Sequence, residues 1–265
     1  MWLKIRLLKR LILFCIGIYL PIKFFILWIK STNKPLWHHY ALDHCILRII
    51  ICCIACIYYL HLQQNKGTKN GIVPSMHRYK LMIRTVLLQL TMTFGLLLLS
   101  SIQATLWHPN VQPIRYFSSN IDFVYRGLVE ITCLAAILEE LLFRGILEKL
   151  LYKVISTRLW ITLTSALAFS LMHGNMRNNL LYFVMGCFFS HLYYQTKDII
   201  YPIIAHGLHN LCATCIMYFK WDERLDLAIN SLTIVTRIIL AIGALLGVYQ
   251  YVSYRLIQPK TKNTI

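Results

Sequence analysis

Apolar residues fall in long blocks along this chain, and polar residues gather in the short gaps between them. Several blocks approach the roughly 20 residues that a helix needs to cross a bilayer, and only helices and closed barrels can cross one. Eight spans are predicted, over 11–29, 41–62, 81–107, 121–148, 158–174, 177–196, 199–219 and 231–252. Asp43, His44 and Arg48 intrude on the second, and the fifth is near the short limit. The longest polar stretch, QQNKGTKNGIVPSMHRYK over 63–80, has the Gly, Asn and Pro content of an exposed loop. It divides two N-terminal spans from six that follow. No period of 20–50 residues repeats. The pattern therefore predicts an all-α fold: a polytopic membrane helical bundle of about eight transmembrane helices, one multi-pass domain over 1–265.

Composition agrees with the pattern. The chain is 58% hydrophobic and only 14% charged, against about 25% charged in a soluble domain. Its net charge of +17 would suit nucleic acid, but the basic residues punctuate apolar runs, which is the signature of membrane topology. With the N-terminus in the cytoplasm, 16 Lys and Arg fall on the inside and 6 on the outside. Both termini are thus expected to be cytoplasmic. The N-terminal MWLKIRLLKRLILFCIGIYLPIK has a basic start and an apolar run, as a signal peptide does. It lacks a small-residue cleavage site, and a retained first span is the expectation. Two CxxC pairs, Cys53/Cys56 and Cys212/Cys215, lie inside spans, where packing is the expected use rather than zinc or redox chemistry. Gly243 and Gly247 have the GxxxG spacing of a close helix contact, which an apolar segment also yields by chance.

Charge inside a span is costly, so AILEELLFRGI over 136–146 raises the question of what its charges do. On a helix, residues four apart share a face, so Glu140 and Arg144 can pair. Glu139 is about 140° from Arg144 at 100° per residue and points elsewhere. Arg126 and Glu130 are also four apart and are expected to pair with nothing left over. Phe169 and His173 share a face, as do His206 and Asn210. About 26 Å of helix descends from Glu139 to a turn near Ser156, and about 23 Å returns from Arg158 to His173. An antiparallel pair can therefore bring Glu139 and His173 face to face. His206 is less deep unless the Glu139 helix projects beyond the bilayer through EKLLYK, where Lys149 and Lys153 suit an interfacial end. His191 and His209 are expected to hydrogen-bond between helices, and His44 and His61 to lie near span ends.

Together EELLFR, FSLMH and HGLHN resemble the EExxxR, FxxxH and HxxxN motifs of the CAAX protease and bacteriocin-processing family, also called Abi, which includes type II CAAX prenyl endopeptidases. The matching region, about 121–219, would be the catalytic helical core. The resemblance implies an intramembrane endopeptidase in which Glu139 and His173 activate a water, and His206 and Asn210 stabilise the oxyanion. Glu140, Arg144 and Phe169 would support them. No cofactor is expected in this glutamate-type reading. The alternative is a zinc enzyme with Glu139, His173 and His206 as ligands, although HExxH spacing is absent. Implied partners are membrane lipids and a peptide or membrane-attached protein substrate, with no nucleic acid. The implied setting is a cell membrane, with a bacterial source and a role in bacteriocin self-immunity as the expectation. A non-catalytic immunity or binding protein and a proton-coupled transporter are the rival classes.

Overall fold

The computed structural model describes residues 49, 53–57, 59–60, 75–107, 117, 119–173 and 178–254. Among these, every regular element is helical. Helix α1 is Ser75–Trp107. Helix α2 is a continuous composite over 120–151, described below. Then follow α3 (Arg158–Met172), α4 (Asn179–Thr196), α5 (Ile200–Tyr218), α6 (Trp221–Asn230) and α7 (Ile234–Tyr254). Each predicted span from 81–107 onward meets one of these helices. Three stretches among the described residues are long and apolar enough to cross a membrane: Tyr79–Leu106, Ile200–Tyr218 and Ile234–Ser253. Helix α3, with 15 residues, is shorter. The predicted span 11–29, most of 41–62, and His44 and His61 lie outside the described residues.

The composite helix α2 departs from simple helical arithmetic. Its hydrogen bonds widen to the five-residue spacing of a π-helix over Phe123–Ala135 and again over Leu141–Leu147. Between the two, Ala136–Glu140 is an ordinary α-turn. Such widening is rare and frequent at functional sites. Both glutamates of EELLFR lie on that narrow turn, so the angle per residue assumed from sequence does not hold on either side of it.

The chain divides into two compact units, each described by itself. The first takes in Leu138–Cys187 with the described residues before Lys66. Every residue from Glu140 to Leu151 is buried there, the charged Glu140, Arg144, Glu148 and Lys149 included. Gly186 of α4 sits against Ala166 of α3, where an added Cβ would come 2.8 Å from the Ala166 Cα. Only glycine permits that approach.

The second unit takes in the described residues of Gly67–Ile137 and Phe188–Ile265. In it α1 packs on α5 and α7, and α5 packs on the first wide stretch of α2. Leu98, Ile102, Ile229 and Ala241 form a small buried cluster. Among the described residues the GxxxG glycines close no contact, since a Cβ at Gly243 or Gly247 would meet nothing within 4 Å. The close approach of α1 and α7 is instead at Gly95, where a Cβ would lie 3.2 Å from Ala244. Trp221–Asn230, read from sequence as part of an outside loop, is helical. Lys220 adopts a left-handed conformation (φ 55°) that ends α5 and lets the chain restart. Asp222 and Glu223 then place negative charge in the first turn of α6, where the helix dipole favours it.

Candidate active site

Glu140, Arg144 and Glu148 recur every fourth residue on α2, and none is more than 1% exposed. The Arg144 Nη1 donates to Glu140 Oε1 at 3.0 Å, and Nη2 donates to the Gly186 carbonyl at 2.8 Å. The Nε lies 3.8 Å from Glu148 Oε1. The guanidinium carbon sits 5.0 Å from the Phe169 ring centre and 5.8 Å from that of Phe143. Arg144 is thus clasped by carboxylates one turn before and one turn after it, with aromatic rings against its plane. Removing one partner of such a buried pair costs about 3–5 kcal/mol. Arg144–Glu140 is the pair the spacing predicts. Glu148 was missed, although the same four-residue rule finds it.

Glu139 turns away from this clasp toward His173. Its Oε2 lies 3.7 Å from His173 Nε2, and the two side chains are 16% and 23% exposed. The facing arrangement expected from helix lengths is therefore present. The His173 Nδ1 lies 2.9 Å from the Phe169 carbonyl. A carbonyl only accepts, so the ring proton must sit on Nδ1. In the neutral ring Nε2 then offers a lone pair to the side where Glu139 stands. The ring is held by Tyr182, stacked at 3.9 Å, and by Phe169 at 4.7 Å. The FxxxH spacing gains a physical meaning from this. Phe169 covers Arg144 with its ring, supports the His173 ring, and orients that imidazole through its own carbonyl. Tyr182 carries no sequence signal that would single it out.

His206 and Asn210 belong to the second unit. His206 is 2% exposed and stacks on Phe189 at 4.9 Å. The Asn210 Nδ2 donates to the Ile131 carbonyl of α2 at 2.9 Å. Ile131 lies in the first wide stretch of α2, so this bond ties α5 to it. Gly207 allows the approach, since a Cβ there would lie 3.3 Å from the Thr132 carbonyl. His209 and His191 make the interhelical bonds expected of them, to Thr93 at 3.3 Å and Ser253 at 2.9 Å.

Two neighbouring expectations change. Lys149 is not at an interfacial end: it is 7% exposed, with its Nζ 3.8 Å from the Tyr59 ring centre. Its stem is enclosed with the rest of α2, and the aromatic face takes the charge. Arg126 forms an ion pair back to Asp122 at 3.2 Å, a partner the sequence reading did not name.

Among the described residues no group of three or more His, Cys, Asp and Glu side chains gathers closely enough to hold a metal ion.

No curated protein and no solved structure matches the chain. A family match covers residues 122–212, to the type II CAAX prenyl endopeptidase Rce1-like family. That segment begins at the foot of α2, ends within α5 and includes all three motifs. The likeness carried by three short motifs thus extends along the helices that join them: over 122–212 the chain is similar to the type II CAAX prenyl endopeptidase Rce1-like family.

Proposed function

We propose that the chain is an intramembrane endopeptidase of the glutamate type, acting on a membrane-attached peptide. The observation that carries this reading is the Glu139–His173 pair, 3.7 Å apart. A carboxylate oxygen and an imidazole lone pair are both acceptors. A water between them donates one hydrogen to each and turns its own lone pairs outward. That orientation suits attack on a peptide carbonyl, and the separation suits a bridging water.

In the attack the water oxygen bonds to the carbonyl carbon, and one water proton passes to Glu139. The carbonyl oxygen takes up negative charge, which His206 and the second Asn210 N–H are proposed to stabilise. Collapse breaks the C–N bond, and the proton passes to the leaving amine. His173 holds the remaining hydrogen bond throughout and shares the developing positive charge.

The apolar helices favour a substrate presented from the bilayer. By family, that substrate is a prenylated peptide cut near its C-terminus, and bacteriocin self-immunity is the proposed role. Both termini are proposed to face the cytoplasm. Reporter fusions at Ile265 and near Arg115 should then report opposite sides of the membrane. The activity is tested by incubating purified protein with a farnesylated peptide and identifying new C-termini by mass spectrometry. Cleavage by the parent chain that is lost in Glu139→Gln is expected. Equal cleavage by both would remove the assignment.

A further inference from the structure

The second unit contains an arginine that the proposed reaction does not use. Arg237 lies in the first turn of α7, as the fourth residue of a 21-residue helix. It is 6% exposed. Its Nη1 reaches three neutral oxygens: Ser101 Oγ at 2.7 Å, Asn230 Oδ1 at 2.9 Å and Thr105 Oγ1 at 3.1 Å. The hydroxyl hydrogens of that cage are already directed elsewhere, from Ser101 to Asn230 Oδ1 and from Thr105 to the Ser101 carbonyl. The Nε–H is buried and has no hydrogen-bond partner. No carboxylate pairs with Arg237 among the described residues.

That arrangement leaves a full positive charge enclosed by neutral groups. A buried ion without a counter-charge is costly, and Arg144 shows how this same chain satisfies one with two carboxylates. The first turn of a helix adds further positive potential instead of relieving it. Thr233 satisfies one N–H of that turn, bonding the Thr236 N–H at 3.2 Å, which leaves the dipole in place. The cage opens at Thr105 and Asn230, both exposed. Leu106, next to Thr105, and Leu227, one turn before Asn230, are 58% and 75% exposed. Exposed Phe219 precedes α6 and exposed Trp221 opens it, as suits aromatic residues at headgroup level.

We propose that Arg237 anchors a binding site for a phosphate-bearing anion, a phospholipid headgroup in the leaflet at the α6 end. The guanidinium fork suits phosphate oxygens, the Asn230 amide lies beside it, and the exposed leucines suit acyl chains. Free phosphate shares the anion chemistry but makes no use of the exposed leucines.

The full-length protein in a neutral detergent tests this by thermal unfolding against short-chain phosphatidylglycerol, inorganic phosphate, and diacylglycerol of the same chain length. Phosphatidylglycerol should raise the midpoint in a saturable way, and diacylglycerol should not. Arg237→Gln should weaken the response by about 10- to 100-fold. Ser101→Asp supplies an internal carboxylate beside Nη1. It should raise the midpoint without lipid and remove the lipid response, and it carries the test by itself if Arg237→Gln fails to fold. A response to phosphate as strong as to lipid keeps the anion site and assigns it to the free ion. The proposal is overturned if the parent chain does not respond, if Arg237→Gln responds over the same concentrations, or if diacylglycerol is as effective as phosphatidylglycerol.

Discussion

Glu139 and Glu140 are adjacent in sequence and identical in chemistry, yet they stand in opposite environments. Glu140 is fully buried and spends its charge on Arg144, which Glu148 and the Gly186 carbonyl also hold. Glu139 is partly open and faces a histidine whose proton position is fixed from behind. The sealed carboxylate has a permanent partner, so its charge is committed to the fold. The open one faces a group able to exchange a proton, so its charge remains usable. A one-residue step around α2 makes the difference, and Phe169 touches both sides of it.

The largest effect that sharpens this contrast is on stability. Glu140→Gln should destabilise the protein by about 3–5 kcal/mol, because it leaves Arg144 short of a buried counter-charge. Thermal unfolding in detergent measures this, and Glu148→Gln should cost less because its contact with Arg144 is longer. An unchanged midpoint for Glu140→Gln would show the clasp to be dispensable.

Next in size is the oxyanion side. Asn210→Ala should lower turnover ~10²–10³-fold, the usual loss for one such donor. The same change frees the Ile131 carbonyl, so unfolding should be followed in parallel. A fall in stability with turnover per folded molecule unchanged would make Asn210 purely a clamp on α2.

The smallest effect concerns the support behind His173. Tyr182→Leu removes the stacked ring, an interaction worth about 0.5–1.5 kcal/mol, and should lower turnover by roughly 2- to 12-fold. Tyr182→Phe keeps the ring and should restore it. If both variants behave alike, the stack does not position the imidazole.

Helices were legible from apolar block length, because a membrane-spanning segment must satisfy its backbone internally. The Glu140–Arg144 pair and the approach of Glu139 to His173 followed from spacing and length alone. Glu148 was equally accessible to the four-residue rule, but Lys149 and Lys153 drew the segment toward an interfacial reading. The widening of α2 was not legible, since no residue type marks a five-residue ladder. Helix α6 was hidden by its charge, which resembles a loop until the left-handed Lys220 is seen to restart the chain. The roles of Tyr182, Gly186 and Phe189 depend on helices brought together from distant sequence. Arg237 sat inside a predicted span and entered no motif.

The division of labour between Glu139 and Glu140 is tested most directly by one paired experiment. Purified Glu139→Gln and Glu140→Gln proteins are compared with the parent chain for cleavage of a farnesylated peptide and for thermal unfolding in the same detergent. Glu139→Gln should unfold close to the parent midpoint and lose ~10²–10⁴-fold in turnover. Glu140→Gln should unfold well below it, while its folded fraction still cleaves. Equal destabilisation of the two, or cleavage that survives Glu139→Gln, would contradict the account.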